Sequence, residues 1–127
     1  MQVYKTKGFA RFVRHERITD TSLREAILRA EQGLVDADLG GGLIKQRVAR
    51  KGQGRSGGYR MIVAYRMGNR AVFLYAFAKQ ERENIDQDEL VELRKLGLNW
   101  LSATSQRIEE AIDDGELQEV DLDEDET

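Results

Sequence analysis

The spacing of apolar positions changes several times along the chain, and each change marks an element. Gln2-Val3-Tyr4-Lys5-Thr6 reads as a short strand, and after Gly8 the side chains Phe9, Phe12 and Val13 recur at helical spacing, which predicts a short first helix. Asp20-Thr21-Ser22 then precedes Leu23, Ala26, Ile27 and Ala30, a stripe stepping by three and four. Ser22 and Glu25 are spaced as a capping box and Gly33 is a stop, so a second helix is expected here. Glycines 40–42 break the pattern, and beyond them the period is two.

That alternation predicts three strands, 43–50, 59–66 and 70–78, all rich in β-branched or aromatic residues. Gly68-Asn69 suits a two-residue hairpin turn between the last two. The register then sets Met67 against Arg70, Arg60 against Phe77 and Ile62 against Tyr75. The other side of this ribbon carries Tyr59, Met61, Val63 and Tyr65 against Ala78, Ala76, Leu74 and Val72, an apolar surface expected to receive the helices. From Asp86, with Glu89 as a second capping signal, Leu90, Leu93, Gly97, Leu101, Thr104, Ile108 and Ile112 step by three and four. One long helix is predicted, with Trp100 on its flank as a packing residue or partner anchor.

The elements add up to an α+β fold: a small antiparallel-rich sheet packed on helices, ending in a long C-terminal helix. A chain of 127 residues suffices for one core. The domain is expected over 1–112, with 113–127 as a disordered acidic tail of low apolar content. With no cysteine and one histidine, His15, there is no disulfide framework, thiolate site or expected metal centre. No apolar run approaches the roughly 20 residues of a membrane span, and no signal-peptide pattern opens the chain. A cytoplasmic protein without membrane contact or small-molecule cofactor is the expectation.

Charge changes the picture more than composition does. The net charge of −3 hides nine acidic residues from Asp113 onward, with no basic ones among them. The remainder holds 20 basic against 14 acidic residues, a body of +6. Within it, residues 39–80 carry nine Lys or Arg and no Asp or Glu. One-sign segregation of this kind is the footprint of a phosphate-binding surface. Lys45 and Arg47 share one face of their strand, and the segment 50–59 reads as a glycine-rich basic loop with Arg50, Lys51 and Arg55, able to approach phosphate closely. Arg60 lies mid-strand, where a guanidinium must pair, line a polar groove or go unsolvated. Its neighbours Tyr75 and Phe77 either offer faces for unstacked bases or belong to the core. Lys79 and Arg82 add charge at the end of the last strand. His15, in the basic segment 11–17, is expected at the surface.

The ordered set Gly40-Gly41-Gly42-Leu43-Ile44-Lys45-Gln46-Arg47-Val48-Ala49-Arg50, then Gly57-Gly58-Tyr59-Arg60, then Phe73-Leu74-Tyr75-Ala76-Phe77-Ala78-Lys79-Gln80-Glu81-Arg82 resembles the RelE/HigB toxin superfamily, most closely its HigB-like RelE branch. The resemblance covers roughly residues 3–100. It implies the toxin of a type II toxin-antitoxin pair, a metal-independent endoribonuclease (mRNA interferase) that cuts messenger RNA in the ribosomal A site and inhibits translation. It also implies a helix-turn-helix-type antitoxin as partner. By position, Lys45 and Arg47 match the phosphate-holding strand residues, Arg60 the arginine of the Tyr-Arg motif, and Arg82 a basic residue after the last strand. Gln80 stands where well-known members have a second arginine, and the tyrosine expected near Asp86 and the histidine bases of other HigB toxins are missing. Lys79, Tyr75 and Arg82 are the substitutes for proton transfer, with Arg50, Lys51, Arg55, Tyr75 and Phe77 as RNA-binding candidates. A non-catalytic RNA- or ribosome-binding module and a ParE-like gyrase inhibitor are the competing readings.

Overall fold

In the computed structural model, which describes residues 1–50, 54–82 and 84–121, the chain runs β1 (Gln2–Thr6), α1 (Lys7–Glu16), α2 (Asp20–Glu31), β2 (Ala37–Gly40), β3 (Leu43–Arg50), β4 (Gly54–Arg66), β5 (Arg70–Ala78), α3 (Gln87–Leu101), α4 (Ser105–Asp114) and β6 (Leu117–Glu119). The strands form one six-stranded sheet in the order β2-β3-β4-β5-β1-β6. Only the β1–β5 pairing is parallel. The α+β class is as the sequence predicts.

Both faces of the sheet are covered, one more than the sequence suggests. Phe9, Val13, Leu23 and Ile27 of α1 and α2 pack on Met61, Val63 and Phe73. On the opposite face Trp100, Leu101 and Ile108 of α3 and α4 pack on Leu43, Ile62, Ala64, Val72 and Leu74. β5 is almost wholly apolar after Arg70, and both it and β4 are buried on both sides of the sheet. Gly97 lets α3 sit close to the sheet, since a Cβ there would lie 2.9 Å from Leu43 Cδ2 and 3.1 Å from Ala64 Cβ.

The hairpin register is as expected over 59–62, where Arg60 faces Phe77 and Ile62 faces Tyr75. Nearer the turn it differs. Arg66 pairs with Arg70, leaving a three-residue turn with Gly68 at φ 69°. A shift between Ile62 and Val63 takes up the extra residue, so Val63 faces Phe73 and Tyr65 faces Ala71. Leu74 is the bulged position, and it turns toward α3. The second helix also starts earlier than expected: Thr19, not Ser22, is its N-cap, accepting from the Ser22 N–H.

The single long C-terminal helix is two helices. Arg66 donates to the Leu101 carbonyl at 3.1 Å, and Arg70 donates to the carbonyls of Trp100 and Ala103 at 2.8 Å each. These two arginines satisfy the end of α3, and Thr104 then caps α4 by accepting from the Arg107 N–H. The 3-and-4 spacing survives because α3 and α4 pack on the same cluster.

The acidic stretch also begins its life as structure. Asp113 and Asp114 complete α4, Gly115 closes it at φ 82°, and β6 pairs with β1. Val120 is buried and donates its N–H to the Val3 carbonyl. The domain therefore continues past residue 112. The part of the expected tail at 122–127 lies outside the described residues.

Candidate nucleic-acid interface

Strand register brings the basic positions together in two cross-strand rows. Lys45, Ile62 and Tyr75 form one row, and Arg47, Arg60 and Phe77 the next. Alternation places all six on the α3 side of the sheet. Arg60 is central and only 6% exposed, and its side chain is engaged within the protein.

β3 reaches past the end of β2, and side chains replace the missing strand. Asp36 accepts the Arg47 N–H at 2.6 Å, Arg29 donates to the Arg47 carbonyl, and Arg29 also lies 3.5 Å from Asp36. Gln46, with no exposed surface, donates to the carbonyls of Ala26 and Leu34 and accepts the Asp36 N–H. The backbone carrying Lys45 and Arg47 is thereby fixed although it borders an edge.

At the other border stands Arg82. Its guanidinium lies 5.5 Å from the centre of the Phe77 ring and donates to Tyr75 Oη at 3.3 Å. Glu89, from the first turn of α3, grips it through both oxygens at 2.6 and 3.1 Å. That hydrogen bonding raises Arg82 above its ordinary value and holds Glu89 below the usual carboxylate range. Glu89 Oε1 also accepts the Asp86 N–H, completing the expected capping box. One carboxylate thus caps α3 and holds a cation of the face.

Residues 1–120 match the family model of the RelE toxin of the RelE/RelB toxin-antitoxin system. The chain belongs to the RelE toxin family. It is a toxin of a toxin-antitoxin system, and the family implies an antitoxin partner. No curated protein and no solved structure matches it. Among the described residues of this RelE toxin, no helix is long and apolar enough to cross a membrane.

The expected site residues divide as follows. Lys45, Arg47, Arg60, Tyr75, Phe77 and Arg82 come together. Phe77 does so as a packed residue, 3% exposed beneath Arg82, so its ring offers no stacking platform in this state. Tyr75 is half-buried, with its ring 6.0 Å from that of Phe77. Lys79 is exposed in the turn after β5, where its N–H donates to the Gly58 carbonyl.

Arg50 does not join them. It lies 5.6 Å over the ring of Tyr59, whose hydroxyl donates to Glu16 of α1, on the opposite face. Lys51 and the side chain of Arg55 lie outside the described residues. The ten-residue loop shrinks too, because β4 starts at Gly54 and Arg50 pairs with Gly54. Gly58 serves the sheet here: a Cβ would lie 2.2 Å from the Val48 carbonyl oxygen, beside the register shift between Val48 and Arg50. The sequence reading missed Glu89, Asp36 and Gln46 as supports. Glu89 alone left a signal, as a capping residue.

Proposed function

We propose that this RelE toxin is a ribosome-dependent endoribonuclease of the HigB-like branch, which cuts messenger RNA in the A site, arrests translation in the cytoplasm and is neutralised by a helix-turn-helix antitoxin. The observation that carries the reading is the juxtaposition of Lys45, Arg47 and Arg60 on adjacent strands of one face, with Arg82 at its border.

The chemistry these groups suit is attack of a ribose 2'-oxygen on the adjacent phosphorus. The O2'–P bond forms, the P–O5' bond breaks, and a cyclic 2',3'-phosphate and a 5'-hydroxyl result. The 2'-hydroxyl loses a proton and the departing 5'-oxygen gains one. Lys45 and Arg47 hold the phosphates in line, and Arg60, packed in fixed geometry, offsets charge building on the phosphorane. Tyr75, Lys79 and Arg82 are the candidates for the proton steps, with Arg82 bonded to the Tyr75 oxygen. That scheme needs no metal.

Arg60→Ala tests it. Messenger cleavage on purified ribosomes should fall on the order of a hundredfold or more if Arg60 stabilises the transition state, with circular dichroism melting as the folding control. Near-normal cleavage by a folded Arg60→Ala protein would transfer the role to Lys45, Arg47 and Arg82. A second reading, a binder that does not cut, is favoured by the grip of Glu89 on Arg82 and by the cover over Phe77. Intact message on ribosomes to which the toxin is bound would establish it.

A further inference from the structure

Three tyrosines lie on β4 and β5, and two of them have the hydroxyl proton committed. Tyr59 donates to Glu16 of α1 and Tyr65 donates to Glu31 of α2. Tyr75 differs: its oxygen accepts from Arg82 Nη1 at 3.3 Å, and among the described residues no group accepts its proton. A phenol oxygen that already accepts one hydrogen bond directs its own O–H elsewhere, so the Tyr75 proton is left for an acceptor outside the protein. Register sets Tyr75 in the row of Lys45 and Ile62, next to the row of Arg47 and Arg60.

Arg82 is spoken for. Each of its nitrogens donates within the protein: Nε to the Asn84 carbonyl at 2.8 Å, Nη1 to Tyr75 Oη and to Glu89 Oε2, and Nη2 to Glu89 Oε1 at 2.6 Å. Glu89 is fixed in turn by the Asp86 N–H at 2.9 Å. A carboxylate thus aims a cation, and the cation aims a hydroxyl. Beside the ring an open pocket of about 380 Å³ is lined by Tyr75, Asp88, Glu89, Glu92 and Leu93. Its carboxylates repel a phosphate, which leaves the reacting phosphate on the Lys45 and Arg60 side of the hydroxyl.

We infer that Tyr75 is the general acid of cleavage, giving its proton to the departing 5'-oxygen, and that Glu89 is a positioning residue acting through Arg82. The inference rests on the nuclease reading above and assigns one of the two proton steps which that reading leaves open. As the P–O5' bond breaks, its electron pair goes to the 5'-oxygen, which takes the Tyr75 proton and departs as a 5'-hydroxyl. The phenolate left behind faces the Arg82 guanidinium. Water accepts the 2'-hydroxyl proton and returns one to Tyr75.

The test compares two messages on purified ribosomes with the full-length toxin, one ordinary and one with sulfur in place of the 5'-oxygen at the scissile linkage. A thiolate leaves without a proton, so the sulfur linkage makes a general acid unnecessary. Single-turnover cleavage of the ordinary message by Tyr75→Phe should fall on the order of a hundredfold or more, and the sulfur linkage should restore it. Glu89→Gln, whose amide oxygen still accepts the Asp86 N–H, should lose less and be restored in the same way. Arg60→Ala should stay impaired on both messages. Melting by circular dichroism checks folding, and Glu89→Gln carries the test if Tyr75→Phe is unstable. Wild-type cleavage of the ordinary message by Tyr75→Phe, or a loss in either variant that sulfur does not restore, overturns the assignment. A wild-type toxin that leaves both messages intact overturns the nuclease reading itself.

Discussion

Arg70→Met separates the cations that build this toxin from those proposed to act on RNA. Arg70 is 7% exposed, and its Nη1 donates to two carbonyls at the end of α3, those of Trp100 and Ala103. Methionine keeps most of the volume and removes the donor. Each hydrogen bond from a charged group is worth about 1.5–3 kcal/mol. The two together lose about 3–6 kcal/mol, and relief of the buried guanidinium's desolvation returns part of it. A net loss of about 2–4 kcal/mol is expected. Melting entropy near 2.1 cal/mol/K per residue converts that to a fall of roughly 8–16 °C for a domain of about this size. Arg66→Met is the matched control: Arg66 is exposed and donates a single bond of 3.1 Å to Leu101, so its loss should stay below about 1 kcal/mol. Urea unfolding with an unchanged slope measures both. Cleavage by Arg70→Met, assayed well below its melting point, should match the wild type. Equal stability of the two variants, or a stable Arg70→Met protein that has lost cleavage, would refute the division.

Gly97→Ala should destabilise by about 1–2 kcal/mol although alanine favours helix by about 1 kcal/mol, because the new Cβ meets Ala64 Cβ, which cannot turn aside; thermal melting reads the sign. Gln46→Leu should cost about 2–4 kcal/mol in urea unfolding, since the Ala26 and Leu34 carbonyls and the Asp36 N–H lose their partner, and a cost below 1 kcal/mol would show that β3 is held otherwise. Glu16 and Glu31 are held below the usual carboxylate range, chiefly by the hydroxyls of Tyr59 and Tyr65. A depressed folded pKa gives stability that is present above the ordinary carboxylate value near 4.5 and lost as pH falls through the folded values, so Tyr59→Phe with Tyr65→Phe should flatten the acid limb of a stability–pH curve.

Local pattern made β1, α1, α2 and the β3–β5 ribbon legible, because period separates the helices from the strands and β-branched or aromatic content marks the ribbon. Where pattern misled, a partner distant in sequence decided. The stripe from Leu90 to Ile112 is continuous, yet α3 ends at Leu101 because Arg66 and Arg70, some thirty residues earlier, take its last carbonyls. β6 was hidden in an acidic run, and only Leu117 and Val120 are buried there, one on each side of the sheet. Tyr65 and the turn at Gly68 are pinned by Glu31, a contact no local rule contains.

The candidate face divides along the same line. That Lys45, Arg47 and Arg60 share a surface follows from a period of two and one hairpin register, both of which a sequence carries. What each cation is free to do depends on its neighbours. Arg82 is flanked in sequence by Glu81 and Glu83, but the carboxylate that grips it is Glu89, brought there by the start of α3. Arg50 stands three residues after Arg47 on β3, so alternation sets it on the opposite face, beside Val48, where it lies over the Tyr59 ring. The positions of charge were therefore written in the strands, whereas their availability is set by α1 and α3, the two helices that reach over the ends of the sheet to claim Arg50's ring partner and Arg82's guanidinium.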